Sequence, residues 1–74
     1  MKEIAPKIVI DPKIRFGKPV IKGTRVPVDL IVGKIAGGMT IEEVAKEYDL
    51  KKEEIRAALH YAAQLVKKEN LIYV

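Results

Sequence analysis

The densest group of chemically active side chains in this 74-residue chain is basic and lies between Lys13 and Arg25. Five lysines or arginines occur there without an acidic residue, and two glycines and two prolines punctuate residues 17–28. Glycine permits positive φ, and proline fixes φ at about −65°. The segment therefore predicts either a tightly built turn or a binding loop. Its cations suit an anionic partner such as nucleic acid, or simply form a solvated basic surface.

Three of these cations are candidates for DNA contact: Lys18, Lys22 and Arg25. A two-stranded ribbon can place lysines and arginines on phosphates. Arg25 also has a structural alternative, because its guanidinium could pair with the carboxylate of Asp11 or Asp29 and lock the turn. We favour the binding role for the two lysines and the structural role for Arg25.

The sequence contains no evident arrangement for catalysis or for cofactor binding. The Gly17-Lys18 pair lacks the G-x-x-x-x-G-K-[ST] spacing of a phosphate loop. The chain has one histidine and no cysteine, so a catalytic triad or a thiolate metal site lacks its parts. We expect a protein that is not an enzyme, with no cofactor, no metal and no small-molecule substrate.

Length and charge restrict the organisation of the chain. A chain of 74 residues predicts one domain over residues 1–74, with a marginal core that dimerisation would help. The net charge is +4, and the first 38 residues carry eight basic and three acidic side chains. No apolar run approaches the roughly 20 residues that span a bilayer, and no signal peptide is evident. We therefore expect a cytoplasmic protein without membrane contact.

Hydrophobic patterning predicts strands first and helices afterwards. Two β-branched runs, residues 8–10 and 19–22, are expected to pair as a small sheet. Helices are expected at residues 28–36, 41–48 and 52–69. The predicted fold is therefore mainly α: a three-helix, helix-turn-helix-like domain with a short N-terminal β element.

The first predicted helix is apolar on nearly every side, because Asp29 and Lys34 are its only charged residues. Such a helix is expected to be buried nearly all round. In so small a domain, this predicts a homodimer seam. Gly33 in its interior costs about 1 kcal/mol relative to Ala, which a closely packed second backbone would explain.

The second and third predicted helices have helix-turn-helix spacing. Thr40 and Glu43 have the spacing of a capping box, and Asp49 falls in the connection, where aspartate tolerates a left-handed conformation. The third helix has an apolar inner stripe of Ile55, Ala58, Leu59, Ala62 and Val66, and an outer stripe of Glu53, Arg56, His60, Gln64 and Lys67.

Whether this unit binds DNA is a separate question. A recognition helix places its N-terminal end in the major groove, and here that end carries Glu53 and Glu54, which phosphates repel. A packing role is therefore favoured over base readout. If the helix does bind DNA, its candidate residues are Lys51, Lys52, Arg56 and His60.

The last four residues, Leu71, Ile72, Tyr73 and Val74, form an apolar and strand-prone tail. Left free in water, such a tail would be an exposed edge, so we expect it to pair within the fold or with a partner. Adding a strand to a partner's sheet is a common mode of recognition, and the tail is our candidate for binding a partner protein.

The chain resembles the domain-of-unknown-function family 433. The resemblance rests on I-D-P at 10–12, G-K-P-V-I at 17–21, G-T-R-V-P-V at 23–28, G-M-T-I-E-E at 38–43 and I-R-A-A-L-H-Y-A-A at 55–63. The family is described as antitoxin-like and related to helix-turn-helix proteins, and its members are often paired with a PIN-like ribonuclease toxin.

The resemblance implies an antitoxin that binds and neutralises a toxin and could repress its own operon by binding DNA. It carries over no catalytic residue. Lys51 departs from the family pattern, which usually has a Ser or Thr cap there, so we expect the third helix to be less well capped by about 1 kcal/mol. Two alternatives stay open: a stand-alone DNA-binding repressor, and a protein-interaction module whose helix-turn-helix is only a scaffold.

Overall fold

The computed structural model describes residues 1–70, which form a three-stranded antiparallel sheet followed by three helices. The strands are β1 (Lys2–Ala5), β2 (Ile8–Ile10) and β3 (Val20–Ile21), and the helices are α1 (Val28–Ala36), α2 (Ile41–Tyr48) and α3 (Lys52–Asn70). The mainly helical class and the short N-terminal β element are thus confirmed. The predicted tail at residues 71–74 lies outside the described residues.

The central strand of the sheet is β2. It pairs Ile8 with Ile21 and Val9 with Val20 on β3, and all four side chains are buried. Branched side chains of this kind pack well on a pleated surface. The predicted pairing of the two β-branched runs is therefore confirmed.

The sequence analysis missed strand β1, which pairs with β2 through Lys2 and Ile10, Glu3 and Val9, and Ala5 and Ile8. The strand is exposed at its start and only half-buried at its end, so it carries no clear apolar alternation. Its pairing is irregular between Glu3 and Ala5. The prediction therefore had two strands where the chain has three.

Thr24 fixes the path from β3 to α1. Its hydroxyl donates to the carbonyl of Ile21 at 2.7 Å and accepts from the amide of Val26 at 3.0 Å. Gly23 takes a φ of 79°, which residues with a side chain rarely adopt. The glycine- and proline-rich segment is therefore a hydrogen-bonded turn that seats α1 beside the sheet.

One hydrophobic core joins the sheet to the three helices, and its members are Ile8, Ile21, Val28, Ile31, Val44, Leu50, Ile55 and Ala58. The inner stripe predicted for the third helix is correct at its start, because Ile55 and Ala58 are fully buried. It is wrong at Val66, whose side chain is 55% exposed. The last turns of α3 lie beyond the core, so helical periodicity alone could not tell where burial stops.

Helix α1 has the predicted bounds, but it is less buried than predicted. Val28 and Ile31 are buried, whereas Asp29, Gly33 and Ala36 are exposed. The core covers one face of the helix and leaves the opposite face open. Among the helices of residues 1–70, none is both long and apolar enough to cross a bilayer.

Candidate functional site

Lys18 and Lys22, the two lysines favoured for DNA contact, each pair with a carboxylate on the surface. The Nζ of Lys18 lies 3.1 Å from Asp29 Oδ2, and the Nζ of Lys22 lies 3.0 Å from Glu3 Oε1. All four side chains are largely exposed, so these pairs are weak and easily exchanged. Both lysines can still turn to an anionic partner, but each must first leave a carboxylate.

The pKa of Glu3 reflects its ion pair with Lys22. The hydrogen bond from Lys22 holds the pKa of Glu3 below its ordinary value, and the backbone amide of Lys7 and the positive charge of Lys22 lower it further. All three interactions stabilise the charged carboxylate. The pair therefore links β1 to the residue that follows β3.

Arg25 does not form the ion pair with Asp11 or Asp29 that the sequence suggested. Asp29 pairs with Lys18, and Asp11 accepts a hydrogen bond from the backbone amide of Lys13 at 2.9 Å. The backbone carbonyl of Arg25 accepts a hydrogen bond from Arg15 Nε at 3.3 Å. Within residues 1–70 the guanidinium of Arg25 has no acidic partner.

A three-residue left-handed turn, Arg15–Gly17, precedes these lysines and was not predicted. Arg15 has a φ of 51°, Phe16 of 57° and Gly17 of 81°. Phe16 is fully exposed. A positive φ costs a residue other than glycine about 1–3 kcal/mol. The only signal for this turn in the sequence was a single phenylalanine between a cation and a glycine, with no apolar residue directly beside it.

The start of α2 and the connection between α2 and α3 have the local structure predicted for them. Thr40 Oγ1 accepts from the amide of Glu43 at 3.1 Å, and Glu43 Oε1 accepts from the amide of Thr40 at 2.8 Å, which completes the capping box. Asp49 is left-handed, with a φ of 54°. Leu50 follows it and is buried against the core. Helices α2 and α3 are thus joined by three residues in a defined conformation.

Lys51, directly before α3, and Lys52, Arg56 and His60 on α3 are all exposed. Lys52 Nζ lies 3.5 Å from Glu42 Oε2 on α2. The backbone amide of Glu42 itself lowers the pKa of that carboxyl group, and the charge of Lys52 lowers it further. His60 Nε2 lies 3.4 Å from Gln64 Nε2. This surface is polar and solvated, with one cation already paired.

The predicted site residues thus belong to two elements. Lys18, Lys22 and Arg25 flank β3, and the other four candidates lie directly before α3 or along its first half. The remaining candidates, Leu71, Ile72, Tyr73 and Val74, lie outside the described residues. In the part of the chain that the structure describes, no group of three His, Asp or Glu side chains could hold a metal ion.

An apolar groove of about 500 Å³ lies between α1 and α3. Its walls are formed by Val28, Val32 and Gly33 on one side and by Tyr61, Ala62 and Leu65 on the other. A Cβ placed on Gly33 would meet nothing within 4 Å, so among residues 1–70 no other element packs closely against it. Lys18 and Asp29 stand at the same groove as its charged members.

Comparison with known proteins places these features in a family. Residues 8–62 match the family described as "Protein of unknown function (DUF433)". Over 52 residues the chain is 35% identical to the Mycobacterium tuberculosis protein named "Putative antitoxin VapB45", a match that takes up 70% of this chain and 22% of that protein. Over 23 residues it is 65% identical to an uncharacterized protein of Archaeoglobus fulgidus, covering 31% of this chain and 64% of that protein.

Solved structures share the fold. The crystal structure of a DUF433 member from Anabaena variabilis superimposes with a TM-score of 0.76 at 32% identity, over 84% of this chain and 62% of that chain. The X-ray structure of Rv2018 from Mycobacterium tuberculosis gives a TM-score of 0.65 at 35% identity, over 70% of this chain and 24% of that chain.

Proposed function

Because the chain belongs to the DUF433 family, we propose that it is an antitoxin-type protein that binds and neutralises a partner toxin, a PIN-like ribonuclease. The observation that carries this proposal is the 35% identity over 52 residues to the protein named "Putative antitoxin VapB45". That match takes up 22% of the relative, so the antitoxin role named for the whole relative is proposed here for the matching part.

The toxin contact is assigned to the C-terminal end of the chain. Val66 on α3 is a large apolar side chain that is 55% exposed, and it lies outside the groove between α1 and α3. The apolar sequence from Leu71 to Val74 follows a few residues later. Apolar residues grouped near one end of a chain suit a surface that another protein covers.

Co-expression with the toxin encoded beside this gene tests the antitoxin role. We expect the wild-type chain to relieve growth arrest and to copurify with the toxin. Val66→Asp, together with removal of residues 71–74, should abolish both effects, whereas Lys67→Ala on the neighbouring exposed position should preserve both. If arrest by the toxin persists unchanged beside the wild-type chain, the antitoxin proposal fails.

We further propose that α2 and α3 form a helix-turn-helix through which the protein regulates its own operon. The three-residue connection, the left-handed Asp49 and the exposed Arg56 and His60 support this role. Glu53 and Glu54 at the start of α3 oppose it, because they repel phosphates. The basic residues around β3 therefore stay an alternative DNA surface.

Binding of the protein to its own upstream DNA at several salt concentrations separates these surfaces. If α3 contacts the duplex, Arg56→Ala and His60→Ala should weaken DNA binding. If the basic residues around β3 contact the duplex, Lys18→Ala and Lys22→Ala should weaken DNA binding instead. Each lost phosphate contact lowers the slope of log affinity against log salt by about 0.9. Lys2→Ala on β1 removes the same charge outside both proposed surfaces and is the control. Absence of binding at low salt removes the DNA role and leaves the interaction-module alternative.

The stand-alone repressor is the second candidate function. The exposed cations on two elements, Arg25 and Arg56 among them, favour it, because a DNA-binding role needs no second protein. Specific binding to upstream DNA combined with failure to copurify with the neighbouring toxin would establish this alternative.

We also propose that the protein is a homodimer whose seam is the groove between α1 and α3. The groove carries one cation, Lys18, and one anion, Asp29. A two-fold axis places each patch against its own copy, so Lys18 of one protomer can meet Asp29 of the other. The exposed Gly33 leaves room for a second backbone to come close.

A further inference from the structure

Phe16 is held outward by the left-handed turn in which it lies. Its side chain is completely exposed, and it is the only phenylalanine in the chain. The amide of Gly17 donates to the carbonyl of Ile14 at 3.1 Å, and the amide of Lys18 donates to the carbonyl of Arg15 at 3.1 Å. A bulky residue with positive φ is a backbone outlier of the kind that clusters at binding sites.

Cations surround this ring. Lys13, Arg15, Phe16 and Arg25, together with Pro12, line a shallow cavity of about 440 Å³, within the size range of ligand sites. None of its lining residues is acidic, and none of its three cations forms an ion pair with another described residue.

The combination of one exposed aromatic ring with several cations indicates the chemistry of the ligand. A base stacks on an aromatic face regardless of its identity, and lysines and arginines take up the adjoining phosphates. Duplex DNA fits less well, because the ring would have to separate stacked base pairs, and a surface with three cations offers little to offset that cost.

We propose that Phe16 binds single-stranded nucleic acid, with one base stacked on its ring and the neighbouring phosphates on Lys13 and Arg25. This binding site is separate from the toxin contact proposed at the end of α3. It is also separate from the helix-turn-helix, so it stands or falls independently of the antitoxin role.

Fluorescence anisotropy with a labelled single-stranded oligothymidylate tests the proposal. Phe16→Gly should weaken binding about tenfold or more, the usual loss when one stacking aromatic is removed. Phe16→Tyr should bind as the wild type does, because it keeps the aromatic face. Glycine adopts the left-handed conformation freely and Phe16 is fully exposed, so the glycine variant should fold, which circular dichroism checks.

The charge component has its own test. Arg25→Ala should reduce the slope of log affinity against log salt by about 0.7, the value for one phosphate contact on a single strand. Lys2→Ala, which removes one exposed charge on β1, should leave the slope unchanged.

Three results would overturn the proposal. The first is equal affinity of the wild type and the Phe16→Gly variant for the oligothymidylate. The second is binding of a duplex of the same length in preference to the single strand. The third is loss of toxin neutralisation in the Phe16→Gly variant while its oligonucleotide binding is unchanged, which would identify Phe16 as an anchor for the protein partner. Failure of the wild type to relieve toxin arrest affects the antitoxin role alone.

Discussion

Lys51 stands at the N-cap of α3 without a side-chain oxygen for the helix start. Its carbonyl accepts the amide of Ile55 at 3.2 Å, as an N-cap carbonyl does, and its amide donates to Glu54 Oε1 at 2.8 Å. Glu54 thus provides one half of a capping box, and the other half is missing. The family resemblance had singled out this position, but the compensating contact of Glu54 was not foreseen.

Lys51→Ser should raise the free energy of unfolding by about 1 kcal/mol, because the serine oxygen can accept the amide of Glu54 and complete the box. Urea unfolding followed by circular dichroism measures the change. Lys52→Ser is the matched control, since it also removes a lysine but lies inside the helix and loses the contact with Glu42. Equal effects of the two substitutions would contradict a capping origin.

Phe16→Gly should stabilise the fold by about 1 kcal/mol. The substitution relieves a strained left-handed residue, part of which is offset because glycine has more freedom in the unfolded chain. The exposed ring contributes no core packing that could be lost. Lys13→Gly, at a position without positive φ, should instead destabilise the fold. Thermal unfolding of the wild type and of both variants measures these changes. If Phe16→Gly also destabilises, the turn is not strained.

At the scale of elements, a single exposed ion pair ties the N-terminal strand to the opposite edge of the sheet. Glu3 lies on β1 and Lys22 directly follows β3, with β2 between the two strands. Because the pKa of Glu3 is lowered in the folded state, its contribution to stability is present above the ordinary glutamate value of 4.5 and is lost as the pH falls through the folded pKa.

NMR titration of the glutamate carboxyl groups should therefore show the pKa of Glu3 below 4.5 in the wild type and closer to 4.5 in Lys22→Ala. The pKa of Glu42 also lies below its ordinary value, and it should be unchanged in this variant, because its causes lie on α2 and α3. If the pKa of Glu3 is the same in the wild type and in Lys22→Ala, the ion pair does not persist in solution.

The bounds of α1 and α2 were predictable because the sequence carries a clear stop signal for one and a clear start signal for the other. Gly37 ends α1, and Thr40 with Glu43 begins α2, so the bounds of both agree with the sequence. Strand β1 had no comparable signal, since an edge strand with charged residues obtains its conformation from β2. The same limit applies to the basic segment: Asp29 pairs with Lys18 rather than Arg25 because of tertiary geometry, and spacing cannot specify which cation reaches a carboxylate.

Phe16 lay beyond prediction for a different reason. A left-handed conformation at two successive residues with side chains opposes local preference, and so only the folded turn can impose it. The tail at residues 71–74, proposed from its apolar sequence, stays a prediction. Arg56 and His60 are exposed, as their place on the outer stripe predicted, while the partners of the candidate lysines required the structure.

At the scale of the whole molecule, Gly33 distinguishes a monomer from the proposed homodimer. As an exposed helical glycine without neighbours, it should gain about 1 kcal/mol of stability on substitution by alanine if the chain is a monomer. If a second backbone packs there, Gly33→Ala should instead weaken self-association.

Light scattering across a range of concentrations measures the outcome. We expect the wild type to be a dimer, and we expect the Gly33→Ala dimer to dissociate at a higher protein concentration than the wild type does. The midpoint of unfolding should depend on protein concentration only for the associated form. Asp29→Lys, which sets like charges against each other across the two-fold axis, should dissociate the dimer, and adding Lys18→Asp should restore it. A wild type that stays monomeric at high concentration would rule out the seam.

The irregular pairing of β1 has a consequence for how the protein behaves in a crowded cell. Among residues 1–70, no strand pairs with the outer edge of β1, so that edge could in principle accept a strand from another molecule. The break in register between Glu3 and Ala5 disturbs the even row of amides and carbonyls, and Lys2 adds charge. An edge of this shape is a poor template for pairing with the edge strand of another molecule. We therefore expect that the edge of β1 does not direct the growth of fibres.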